Sequence, residues 1–98
     1  MIVQPPKVTP GKQIGHANST LLLPMFRVLL HNDDKNSMEH VVKTLMQVFG
    51  WTLEKAVPVM KEAHVKGLAL CGIWHFEAAE HYCDQLHSFS LSATMEPA

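Results

Sequence analysis

The sequence predicts an α+β fold: three helices on one face of a small antiparallel three-stranded sheet, in the order β-α-α-β-α-β. Three observations predict it. Apolar residues recur at helical spacing in three separate stretches. Three short runs rich in β-preferring or alternating residues flank those stretches. Two of the runs are separated by a pair of helices, which simple hairpins do not produce, so the helices must be layered on a sheet.

The first strand is Met25 to Leu30 (Met-Phe-Arg-Val-Leu-Leu), preceded by Pro24. His31 to Lys35 is polar and turn-forming, because Asn and Asp side chains bond to nearby backbone. Asn36 is then placed to cap a helix, with Glu39 as its reciprocal partner three residues on. Met38, Val41, Val42, Leu45, Val48 and Phe49 give that helix one buried face, and Gly50 ends it.

Thr52 is the candidate cap of a second helix, with apolar positions Leu53, Ala56, Val57, Met60 and Ala63, and with His64 next on the same face. Gly67 is its stop signal. Pro58 lies inside the pattern and removes one backbone donor, so a bend is expected there. Leu68 to Trp74 reads as the second strand, and Phe76, Ala79, Cys83 and Leu86 mark a third helix running to Phe89. Leu91 to Met95 alternates apolar and polar residues as a half-buried strand does.

At 98 residues the chain suggests one domain, with residues 21–98 as the folded part. Residues 1–20 carry three prolines and two glycines with little apolar clustering, and read as a disordered extension. They lack the layout of a secretory signal. The formal charge is −1, from 8 basic and 9 acidic residues, which gives no general attraction to nucleic acid or an anionic membrane. No apolar run approaches the roughly 18 residues that span a bilayer. Two cysteines, Cys71 and Cys83, are too few for a disulfide framework, so the expected location is cytoplasmic and both thiols read as small core side chains.

The polar cluster Asn32-Asp33-Asp34 sits between a strand and a helix. Such residues often form only an Asx turn. They also offer nothing but acceptors toward a cation, and charge-assisted hydrogen bonds are about twice as strong as neutral ones. His64 reads either as a core histidine or as a neutral imidazole accepting a proton from an amine. Met38, Val41, Met60 and Ala63 read either as core or as the lining of a ligand pocket, for which adaptable methionines suit branched or flat guests. Cys71, His75, His81 and Cys83 lack zinc spacing, and no catalytic triad order or phosphate-binding loop is present. No cofactor or metal is expected.

Taken in order, Asn32-Asp33-Asp34, Met38-Glu39-His40-Val41-Val42, Met60 with Ala63-His64, and Gly67-Leu68-Ala69-Leu70-Cys71-Gly72 resemble the ClpS adaptor family, over the stretch from Phe26 to the C-terminus. The resemblance implies a non-enzymatic adaptor of the N-degron pathway. Such an adaptor binds a free N-terminus with a bulky first side chain (Phe, Tyr, Trp or Leu) and docks on the N-terminal domain of a ClpA- or ClpC-type unfoldase. Carried over by position, Asn32, Asp33 and His64 would bond the substrate α-amino group, with Asp34 supporting the loop. Met38, Val41, Met60 and Ala63 would line the side-chain pocket, with Asn36 at its edge; Glu77 and Tyr82 would fall at docking positions.

Lys35, Ser37, Ala63, His75 and Tyr82 depart from the commonest family pattern. Ala63 in place of the common valine widens the expected pocket. His75 stands where a capping Thr is frequent. Tyr82 replaces a docking lysine and bears on the choice of unfoldase. The expected state is monomeric. Two rival readings follow: an unfoldase-docking module that binds no N-terminus, and a metal-dependent hydrolase using His31, Asp33 and Asp34.

Overall fold

The core side chains of the first strand mark which face of the sheet is covered by helices. A computed structural model describes residues 23–98; the extension expected over residues 1–20, and the expected domain start at Leu21, lie outside the described residues. Strand β1 (Met25–His31) buries Val28 and Leu30, which join one core with residues from every helix. Helices α1 (Met38–Phe49) and α2 (Leu53–Lys66) follow, then β2 (Leu68–His75), α3 (Phe76–Ser88) and β3 (Ser92–Pro97). The order is the β-α-α-β-α-β expected. The sheet runs β2-β1-β3 with both pairings antiparallel, so the first strand is central.

Strand β2 buries Ala69 and Cys71 while Leu68 and Leu70 face out, and β3 buries Ala93 between exposed Ser92 and Thr94. Successive strand side chains point to opposite faces, so the helices need cover only one side. They do so with Leu45, Ala56, Ala79 and Leu86, all completely buried. A completely buried leucine of this kind stabilises the fold by about 1.5–3 kcal/mol.

Both glycine stops act as expected. Gly50 (φ 70°) and Gly67 (φ 94°) adopt the left-handed conformation, and their N–H groups donate to Met46 O and Ala63 O, each at 2.9 Å. The N-terminal caps differ from expectation. Ser37, not Asn36, caps α1, accepting from His40 N at 3.1 Å. The helix begins at Met38, which puts Ser37 at the capping position, while the Asn36 amide nitrogen donates to Ser90 O and Asp33 and holds that side chain to the turn and the distant loop. Glu39 pairs with Lys43 at 3.5 Å, one helical turn on, in place of a reciprocal cap. Thr52 and His75 start α2 and α3 without a side-chain capping bond.

Helix α2 continues through Pro58, where a bend was expected. Pro58 stands on the exposed side, so the Glu54 carbonyl that loses its donor can be met by water. His31 was expected in the turn but closes β1, its Nε2 lying 2.7 Å from Thr94 Oγ1.

At the far end of α1, Phe49 stacks on Trp51 (centroids 4.7 Å apart) and on Trp74 (5.7 Å), and Tyr82 leans on Trp74 at 4.6 Å. Trp74 folds back over Gly72 so closely that a Cβ there would lie 2.3 Å from its ring. That contact, rather than any special backbone angle, is why the strand carries a glycine.

Candidate functional site

The turn after β1 is organised around one carboxylate. Asp33 Oδ1 accepts from Lys35 N (3.0 Å), Asn36 N (3.2 Å) and Asn36 Nδ2 (3.2 Å), an Asx-type arrangement that the short Asp side chain makes locally. Its Oδ2 accepts from Ser92 Oγ at 3.0 Å and from Asn36 Nδ2 at 3.3 Å. Burial raises the Asp33 carboxyl, but the bonds from Ser92, Lys35 N, Asn36 N and the Asn36 side chain outweigh it. The net result is a carboxyl held below the ordinary carboxylate value, charged throughout the physiological range.

The turn is fixed to its surroundings from both sides. Asn32 N donates to Gly67 O at 2.9 Å, tying it to the junction between α2 and β2. Asn36 Nδ2 donates to Ser90 O at 2.8 Å, tying it to the loop between α3 and β3. Among the described residues, the side chains of Asn32, Asp34 and His64 take no protein hydrogen bond, and all three are exposed.

The turn closes one end of a cavity of about 310 Å³. All nine residues singled out for amine and side-chain recognition line it: Asn32, Asp33, Asp34 and Asn36 from the turn, Met38 and Val41 from α1, and Met60, Ala63 and His64 from α2. Leu30, His31, Ser37 and Leu91 complete the wall. Leu30 was within reach of the sequence as an inward residue at the end of a strand. Leu91 was marked as an apolar strand position but not as a neighbour of this turn, and the Ser92 bond to Asp33 carried no sequence signal, because both come from 55 or more residues away along the chain.

Polar and apolar walls are segregated. Met60 and Ala63 are buried and Val41 is half-buried, whereas Met38 is 49% exposed and stands at the rim. Met38 and Met60 also border a second, apolar groove with Val42, Met46 and Leu53, so the two methionines separate it from the cavity, Met60 within the core and Met38 at the rim. Glu77 and Tyr82 do not reach the cavity. Glu77 is exposed in the first turn of α3, and Tyr82 is half-buried in the aromatic stack.

No three His, Cys, Asp or Glu among the described residues are gathered closely enough to hold a metal ion. Among the same residues, no helix is long and apolar enough to cross a membrane. Cys71 and Cys83 are both free and buried. Burial pushes the Cys71 thiol up to about 12, against a backbone hydrogen bond involving Leu30 that pulls it down.

Residues 23–96 match the family model described as ATP-dependent Clp protease adaptor protein ClpS. The chain belongs to the ClpS family. The ATP-dependent Clp protease adapter protein ClpS of Synechococcus elongatus is 45% identical over 96 residues, covering 97% of this chain and 93% of that one. The chloroplastic adapter CLPS1 of Arabidopsis thaliana is 40% identical over 94 residues, covering 93% of this chain and 59% of that one. The structure of Agrobacterium tumefaciens ClpS2 bound to L-phenylalaninamide superposes with a TM-score of 0.72 at 28% identity, covering 76% of this chain and 98% of that one. As a ClpS-family member the chain is a Clp protease adaptor, not itself a protease.

Proposed function

We propose that this ClpS-family adaptor captures proteins by a free N-terminus bearing Phe, Tyr, Trp or Leu and hands them to a Clp-type unfoldase. One observation carries the reading: a charged polar turn and a methionine-rich apolar wall meet in a single cavity. That is the general form of a small-ligand site, with few convergent polar groups beside an apolar lining. It is also the form an N-terminal residue demands, since its ammonium and side chain leave the same carbon. The relative from Agrobacterium tumefaciens was solved with L-phenylalaninamide, which presents a free amine and a phenyl ring.

The division of labour follows from the hydrogen bonds already made. An ammonium has three donors and needs acceptors. Asn32 and His64 supply directed ones, the amide oxygen and an imidazole ring nitrogen. Asp33 has most of its lone pairs engaged within the protein, so its contribution is a fixed negative charge at short range. Asp34 adds to the same field. Val41, Met60 and Ala63 receive the side chain, whose burial is worth about 1.5–3 kcal/mol. Met38 at the rim stands where the β-methyl of Ile or Val would fall, and so selects residues that branch further out. The expected affinity is low-micromolar, about −8 kcal/mol.

Glu77 and Tyr82 do not line the cavity, so docking through them is compatible with an occupied site. The test is a peptide set varied only in its first residue, each member with a free and an acetylated N-terminus. Acetylation removes the charge and a donor, so binding of the Phe peptide should fall below detection. Equal binding of both forms would leave only a docking module.

A further inference from the structure

The turn that carries Asp33 is braced by a loop from the other end of the chain. Helix α3 ends at Ser88, and Ser90 takes the left-handed conformation (φ 70°) to turn the backbone toward β3. Two histidines from two helices hold this loop and the start of β3 by backbone carbonyls. His40 Nε2 donates to Phe89 O at 2.8 Å, and His87 Nε2 to Ala93 O at 2.6 Å. The β1–β3 ladder sets Ser92 opposite His31, two residues before Asp33. The Ser92 hydroxyl then donates to Asp33 Oδ2 at 3.0 Å, across 59 positions of sequence.

The two oxygens of Asp33 are held differently. Oδ1 accepts from two backbone N–H groups of its own turn and from Asn36 Nδ2 at 3.2 Å. Oδ2 has one full-length bond, from Ser92, and a longer contact of 3.3 Å from Asn36. The terminal torsion of an Asp side chain is soft and broad. Within the turn, Oδ2 is met by the 3.3 Å Asn36 contact, and the shorter bond from Ser92 completes the hold on that oxygen. We propose that Ser92 is a positioning residue for N-terminal recognition: its hydroxyl fixes the Asp33 carboxylate so that the negative charge faces the bound ammonium.

This rests on the amine role given to Asp33 above. It differs from an ordinary strand-to-turn bond in what its loss does. Ser92 is exposed and begins a strand whose pairing with β1 extends over six positions, so the fold does not depend on the hydroxyl. A charge-accepting bond has more effect on a ligand when its acceptor is held in place beforehand. One hydrogen bond's net worth corresponds to a factor of roughly two to ten in binding.

The experiment uses the full chain and a Phe-initiated peptide with a free N-terminus, with its acetylated form as control. Ser92→Ala should weaken the free peptide about three- to tenfold with unchanged circular dichroism and melting. Ser92→Thr, which keeps the hydroxyl and suits a strand, should restore affinity to within twofold. In an Asp33→Ala background, Ser92→Ala should cause no further loss, because the two act as one unit. Affinity within twofold of the parent in Ser92→Ala overturns the proposal. So does an equal loss in both backgrounds, which marks a role outside Asp33. If the parent protein binds free and acetylated peptides alike, the functional reading itself falls, and the positioning role falls with it.

Discussion

The two walls of the cavity are built by different physics. The apolar wall comes from helices α1 and α2, where a spacing of three residues sets Met38 beside Val41 and Met60 beside Ala63. Its shape depends on packing against Leu45, Ala56 and the strands beneath. The polar wall is a turn with no regular structure, held by bonds from its own backbone, from Gly67 and from the loop at Ser90 to Ser92. Packing density sets the first wall, and the direction of a handful of hydrogen bonds sets the second. The two should therefore fail separately.

The sharpest test of that separation is in the core. Leu45 is completely buried beneath α1, and Leu45→Ala should cost about 2–5 kcal/mol of stability by urea unfolding. The fraction still folded should bind a Phe peptide within about threefold of the parent. A complete loss of binding in the folded fraction would show that the walls are not independent.

Next in size is Asp33→Ala. It should weaken the free-amine peptide by at least about tenfold, roughly 1.4 kcal/mol, while the domain stays folded. Unchanged affinity by calorimetry would remove the amine role. The pH dependence has a definite sign. The folded Asp33 carboxyl lies below its unfolded value, so the stability it contributes is present above the ordinary range near about 4. That contribution disappears as pH falls through the lowered folded value. Asp33→Ala should thus narrow its stability gap to the parent on acidification below that range, measured by thermal melts.

The smallest expected effect is at the seam between the walls. Ser37 caps α1 and also lines the cavity. Ser37→Ala should cost about 1 kcal/mol of stability, and Ser37→Asp should recover it, because an acidic cap also suits a helix N-terminus. A change confined to peptide affinity, with stability intact, would mean that Ser37 belongs to the site more than to the helix.

Most of the architecture was legible because its causes are periodic or local. Val28 and Leu30, the helical stripes of α1 and α2, and the stops at Gly50 and Gly67 each depend on residues within a few positions of one another. The nine residues expected around the site were marked by their types and by their order along the chain, and they do share a cavity. The errors have one pattern. Asn36 looked like a cap, but Ser37 holds that position and the Asn36 amide donates to Ser90 O and Asp33. His31 looked like turn but is claimed by Thr94 as the end of a strand. In each case the side chain is held by a partner more than 50 residues away in sequence.

By itself, then, the sequence determined the elements, their buried faces and the chemical character of the site, since these follow from spacing and side-chain type. The tertiary structure alone decided which side chains have acceptors left to offer. It also decided which carboxylate is fixed, because a hydrogen bond between residues 33 and 92 exists only once β3 has paired with β1.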